Sequence, residues 1–224
     1  MGLQKTEGLE YSKTIMIELT INKADINRIN RLLTDLSPKE QGGAIDRGMK
    51  KASATVLKGL VANVSGVILH RRTGNLAKSM GFRVYRDDNG NLESQIGSGA
   101  TLQTNRMIYA NILETGGIIR PVKARMLAIP IGEAKTPAGV ARFKPRQITS
   151  SGYDSSFIRR SQAGNLILFG AKKGMGKTSI TPLFLLKDKV KIPEFRYMAT
   201  TVEQTQGQAV NDIVDKIREA KEKS

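Results

Sequence analysis

The sequence predicts an α+β fold: a small, mainly antiparallel sheet packed by a long N-terminal helix and a C-terminal helix, with a basic insertion. Three observations carry this. Two stretches, residues 39–69 and 200–217, place apolar side chains every three or four positions, the spacing of a helix with one buried face. Short runs between them alternate apolar and polar residues and are bounded by turn signals, as strands with one buried face do. Residues 132–179 break both patterns, being basic, rich in Ser and Gly and thin in apolar residues.

Residues 1–12 read as a loose leader. Ile15, Ile17, Leu19 and Ile21 then alternate with Thr14, Met16, Glu18 and Thr20, which predicts a strand. Asn22 caps a helix over residues 23–36, with Ile26, Ile29 and Leu33 on one face. Ser37-Pro38-Lys39-Glu40 opens the longest helix: Ser caps, Pro suits the first helical position, and Glu reaches back to the cap. Its stripe is Ile45, Met49, Ala52, Val56, Leu60, Val64 and Val67. Gly42, Gly43, Gly48, Gly59 and Gly66 weaken it by up to about 1 kcal/mol each relative to Ala. Tertiary packing must supply the difference, or the glycines admit close contact with a neighbour.

A turn at residues 71–76 leads into a short helix ending near Met80. Phe82 and Val84 predict a strand, and Asp87-Asp88-Asn89-Gly90 a hairpin turn, because Asn-Gly tolerates positive φ. Leu92, Ser94 and Ile96 form the return strand. Residues 107–115 predict a short helix ended by Gly116-Gly117, and residues 125–131 a strand. Within 132–179 the strand signal is residues 165–169, and residues 183–190 resume as an extended apolar run. Thr200-Thr201-Val202-Glu203 is a capping box for the last helix, whose stripe is Val210, Ile213, Val214 and Ile217. Burying those four contributes about 1.5–3 kcal/mol each before entropy costs. Residues 221–224 are expected to fray. The domain reading is a core of residues 1–131 with 180–224, interrupted by a basic insertion or long loop at 132–179.

The formal net charge is +16, and it is uneven. Between Ala100 and Arg196 there are 17 Lys/Arg against 5 Asp/Glu, while the segments before and after are far closer to balance. A middle this basic points to a polyanionic neighbour, either nucleic acid or an acidic protein surface; equally, basic surfaces keep a protein soluble. Arg142, Lys144, Arg146, Arg159, Arg160, Lys172, Lys173 and Lys177 are the candidate contacts. With no Cys and one His, thiolate chemistry is excluded and a structural zinc site is not expected. The start has no apolar signal-peptide core and no stretch approaches a membrane span, so a soluble chain made in a cytoplasm is expected, with no membrane contact.

Residues 171–178, Ala-Lys-Lys-Gly-Met-Gly-Lys-Thr, have the look of a relaxed phosphate-binding loop. Such a loop must open a helix whose amides and dipole hold the phosphates. Here Pro182 would fall inside that helix, removing a donor and pushing Thr181 to an extended conformation. A basic β-turn is the better reading. His70 sits at a helix end beside Arg71 and Arg72, where capping is commoner than chemistry. Carboxylates are scattered without a paired acid–base signature. No enzyme activity and no cofactor are expected.

Several strings, in order, resemble the tail-completion (virion morphogenesis) proteins of tailed phages, including the Mu-type branch. Thr73-Gly74-Asn75-Leu76-Ala77-Lys78-Ser79-Met80 is similar to that family's "TG-x-L-x-x-S" turn and helix, and Ile96-Gly97-Ser98 to a strand end. Tyr109-Ala110-Asn111-Ile112-Leu113-Glu114-Thr115-Gly116-Gly117 is similar to its "YA…E-x-GG" helix and turn. Ile119-Arg120-Pro121, Leu127-Ala128-Ile129-Pro130 and Val190-Lys191-Ile192-Pro193 follow in the family's order, while Glu194-Phe195-Arg196-Tyr197 departs from it. The glycines read as turn residues, and Leu76, Met80, Tyr109, Ile112 and Leu113 as packing residues. For Tyr109 and Glu114 a core or capping role is favoured over an intersubunit contact.

The resemblance implies a structural virion protein in the neck or upper tail, joining head to tail with other neck and tail proteins. It also implies a homo-oligomeric ring in the virion, assembled in the host cytoplasm, with packaged DNA passing close by. The rival readings are a minor tail or head-closure protein and a basic nucleic-acid-binding protein. The phosphate-loop analysis gives a first prediction: the chain does not bind ATP or GTP, and micromolar binding by calorimetry, lost on Lys177→Ala, would overturn it.

Overall fold

The computed structural model describes residues 23–34, 36–70, 72–88, 90–100, 109–174 and 177–223. The leader and the strand predicted at residues 15–21 lie outside the described residues. The chain divides into two compact units: Met1–His70, Gly74–Thr115 and Glu194–Ser224 form the first, Arg71–Thr73 and Gly116–Pro193 the second. Along the chain the boundaries between the units fall at His70/Arg71, Thr73/Gly74, Thr115/Gly116 and Pro193/Glu194.

The first unit is mainly helical. Helix α1 spans Lys23–Leu33, α2 Pro38–Ala62, α3 Asn75–Ser79, α4 Ala110–Thr115 and α5 Tyr197–Lys221. Strands β1 (Met80–Arg86) and β2 (Leu92–Ser98) make an antiparallel hairpin, with Phe82 opposite Ile96. The turn between them is the one the sequence predicts: Gly90 takes φ +83°, and the Asp87 carboxylate accepts the backbone N–H of Asn91 at 2.7 Å. At the start of α2, Glu40 accepts the backbone N–H of Ser37 at 3.0 Å, the capping box expected there.

Helix α2 is the central element, packing along α5 and against the β1–β2 hairpin. Ala52, Val56, Leu60 and Val64 are buried in one core with Leu76, Met80, Ile96, Ile213 and Ile217. Two glycines explain how close the helices come. A Cβ on Gly48 would lie 2.9 Å from Ile213 Cα, and one on Gly59 would lie 2.9 Å from Thr205 Cγ2. Gly42 has nothing within 4 Å, so it gives up helix propensity without such a return.

The α-helix stops at Ala62, earlier than the pattern suggests, and continues as a π turn over Asn63–Val67. Asn63 is buried, and its amide donates to Thr201 Oγ1 at 2.8 Å and Gln204 Oε1 at 3.2 Å. Gly66, at φ +150°, breaks the helical backbone. Val67 is thereby rotated off the predicted stripe and left 70 % exposed.

The second unit is mainly β. Strand β3 (Gly117–Ile119) pairs antiparallel with β8 (Val190–Ile192). Strands β4 (Leu127–Pro130), β5 (Ser155–Arg160), β6 (Leu166–Lys173) and β7 (Thr178–Lys187) form an antiparallel sheet in the order β4-β7-β6-β5. Residues 132–179 therefore supply β5, β6 and the start of β7. One face of the sheet is closed by a loop carrying Ala134, Ile148 and Tyr153.

A bulge makes that closure tight. Leu168 pairs with Phe184 and Phe169 with Pro182, leaving Leu183 unpaired. Two consecutive side chains, Leu183 and Phe184, both enter the core. The same irregularity accommodates Pro182 in a central strand, where a missing N–H would otherwise break the ladder.

The glycine geometry gives an expected outcome. Gly48→Ala destabilises by about 1–3 kcal/mol, because the methyl meets backbone that cannot yield. Gly42→Ala stabilises by about 0.5–1 kcal/mol through helix propensity. Thermal unfolding should move the two variants in opposite directions, and two increases would refute the packing argument.

Candidate functional site

In the first unit a long-range polar junction ties the end of α4 to the start of α5. Helix α5 begins at Tyr197, three residues before the predicted cap at Thr200. Its N-cap residue, Arg196, has φ +49° and makes no side-chain cap bond. The acceptors come from far away in sequence. Glu114, buried at the end of α4, accepts the N–H of Met198 on Oε2 at 2.7 Å and that of Ala199 on Oε1 at 3.0 Å. The backbone locks the same place: Phe195 N–H donates to Leu113 O at 3.0 Å and Arg196 N–H to Glu114 O at 3.1 Å. Tyr197 hydroxyl donates to Ala110 O at 3.1 Å; burial, then the charge of Glu114, pushes its pKa well above the ordinary value.

A carboxylate suits a helix N-terminus because it satisfies orphan amides and meets the positive end of the dipole. Glu114 therefore has the capping role favoured from sequence. The local capping box at Thr200–Glu203 does not form the start; the distant carboxylate does. Tyr109, its companion in the string, is 42 % exposed.

A second buried carboxylate was missed from sequence. Asp212 faces α2 and accepts from Thr55 Oγ1, from Lys51 Nζ at 3.1 Å and from Gln208 Nε2 at 3.2 Å. Burial alone would raise its pKa, but these partners outweigh that and hold it below the ordinary carboxylate value. Its stabilising contribution is thus present above the unfolded pKa and lost as pH falls through the lowered folded value. Only an Asp inside an otherwise apolar stripe could have signalled it.

The phosphate-loop look-alike lies at the β6–β7 connection. Lys173 pairs with Thr178, and Gly174 N–H donates to Lys177 O at 3.0 Å. Met175 and Gly176 lie outside the described residues. Thr178 opens a strand, so no helix N-terminus follows the Gly-Lys-Thr string. His70 is exposed just beyond the π turn.

The eight basic candidates all belong to the second unit and are all exposed, but they do not form one patch. Arg142, Lys144 and Arg146 lie in the loop that closes the core face. Arg159 and Arg160 end β5, and Arg160 donates to Gly164 O at 2.9 Å. Lys172 and Lys173 end β6 at the other extremity, about 20 Å away along the strand direction. Lys172 Nζ lies 4.5 Å from the Tyr153 ring centroid. Burial, then the bond to Glu133 at 2.7 Å, pushes the Tyr153 hydroxyl up to about 12.

The charge divides with the fold. The second unit holds 17 Lys/Arg against 3 Asp/Glu, leaving 19 against 17 in the first. Among the described residues, every salt bridge lies in the first unit, and the basic side chains of the second are in none.

Comparison with known proteins adds the family context. Residues 27–116 match the model of a family described as "Bacteriophage HK97-gp10, putative tail-component". The match takes in less than half of the chain and ends at Gly116, where the second unit resumes. It includes the Thr73–Met80 and Tyr109–Gly116 strings, whereas residues 119–130 and 190–193 fall outside it. The curated proteins and the solved structures gave no match.

The capping geometry predicts that Glu114→Ala destabilises by roughly 1–3 kcal/mol, the cost of leaving buried donors unsatisfied. Glu114→Gln, which keeps one acceptor, should lose less. Equal stability of all three proteins in urea unfolding would refute the junction's importance.

Proposed function

We propose that this chain is a structural virion protein of a tailed bacteriophage, acting in tail completion at the head–tail joint through protein–protein assembly. The observation that carries the reading is the match of residues 27–116 to a phage tail-component family, over the stretch that forms most of the first unit. The site geometry supports it. The residues of the resembling strings serve turns, core and cap: Gly74 in the left-handed region, Leu76 and Ser79 buried, Glu114 on α5. A frame made of fold residues suits a protein that works by presenting surfaces.

In this reading the chain sits in the neck or upper tail of the virion, beside other neck and tail proteins, after assembly in the host cytoplasm. A homo-oligomeric ring is its assembled form, which requires one patch to bind a different patch on the next copy. Arg142, Lys144, Arg146, Arg159, Arg160, Lys172, Lys173 and Lys177 are the proposed contacts with acidic partner surfaces or passing DNA. A minor tail or head-closure role shares the same support from the family match.

One observation favours a second reading, a nucleic-acid-binding protein: the concentration of positive charge in the β unit. That reading requires affinity for duplex DNA that falls steeply with salt.

Interrupting the gene in the producing phage separates these. Negative-stain microscopy should show filled heads and separate tails. Heads bearing tails of abnormal length would move the protein into the tail itself. Normal infectious particles would refute the structural reading and leave nucleic-acid binding.

A further inference from the structure

The four-stranded sheet uses one face for its core and leaves the other to something else. Leu168, Phe184, Leu186 and Ala128 share the face closed by Ala134, Ile148 and Tyr153. On the opposite face, Ile129 of β4, Leu185 of β7 and Ile167 of β6 stand in register across three strands. Phe169 and Phe157 continue it, stacked with ring centroids 5.5 Å apart and planes 12° from parallel. None of these five side chains belongs to the buried core of the unit, and each is half-buried. Beyond the bulge, Ile180 extends the same face and is 53 % exposed.

Cations frame this apolar centre. Arg159 is paired with Ile167 at one end, beside Lys187, which follows Leu186 in register and reaches Asn165 Oδ1 at 2.7 Å. Lys173 stands at the other end. No Asp or Glu occurs in any of the four strands. Two of the unit's three carboxylates already hold hydrogen-bond donors, Glu133 the Tyr153 hydroxyl and Asp154 the N–H of Lys173; Asp188 lies between β7 and β8.

We propose that this face docks an acidic protein surface, one with an apolar centre and carboxylates at its rim. An apolar core with a charged rim is how protein–protein interfaces are built. A nucleic-acid duplex presents phosphates and sugars outside and base edges within grooves, and so offers little to five apolar side chains. The same face of a second copy does not fit, because each would bring cations with no carboxylate to meet them. The partner in question is another protein of the particle, so the inference rests on the virion reading above.

The test places the photo-crosslinking residue p-benzoyl-phenylalanine at position 169 of the full chain, and separately at position 180, in phage particles. Crosslinked peptides are identified by mass spectrometry. The expected product joins this chain to a different virion protein through a segment of net negative charge. Arg159→Glu with Lys173→Glu, exposed positions that leave the melting temperature unchanged, should lower its yield roughly tenfold, as losing charge pairs at an interface does. Crosslinks to DNA, to a second copy, or to nothing at both positions in particles that contain the chain would overturn the docking proposal alone. Particles that assemble without the chain would overturn the virion reading, and the docking proposal with it.

Discussion

Helix α5 has no residue of its own that can begin it. Arg196 stands at the N-cap in a left-handed conformation, and its side chain makes no cap bond. The first amides would be orphans in a buried place, and unsatisfied buried donors are costly. Glu114 supplies both missing acceptors, from the end of α4. Much follows from that carboxylate. It fixes where α5 starts, and so which residues of α5 face α2. The stripe of Ala209, Ile213 and Ile217 then meets α2 at the height where Gly48 and Gly59 permit close approach. Asn63 meets Thr201 at the same stroke, and the π turn that ends α2 is held by that bond.

The two units differ in three ways. Their secondary structure differs, helical in one and β in the other. Their charge differs, nearly balanced in one and strongly basic in the other. The family match falls on one and stops at the second unit's main segment. The ion pairs follow the same line, because carboxylates nearly match cations in number only in the first unit.

Legibility in the sequence followed the range of the interactions involved. The capping box at Ser37–Glu40, the Asp87–Gly90 turn and most of the α2 and α5 stripes rest on neighbours within a few residues and form as read; Val67, beyond the π turn, leaves the α2 stripe. The strand after the Gly-Lys-Thr string was legible because Pro182 excludes a helix locally. Strand β5 was not: Ser155–Arg160 has two adjacent apolar residues, no alternation, and gains its place as an edge through pairing with β6. The run read as one extended segment at 183–190 ends as part of β7 at Lys187, and only its last residue, Val190, belongs to β8, which pairs with β3.

By itself the sequence determined the helices, the hairpin, the uneven charge and the resemblance of the Thr73 and Tyr109 strings, since spacing, caps and turn residues act over one or two turns of chain. Only the tertiary structure decided where α5 begins, why some glycines of α2 are useful and Gly42 is not, where the compact units divide, and which face of the β sheet is left without a core. Each of those depends on groups far apart in sequence, such as Glu114 with Met198 or Gly48 with Ile213. No local pattern encodes such pairs, because their energy exists only once the chain has brought them together.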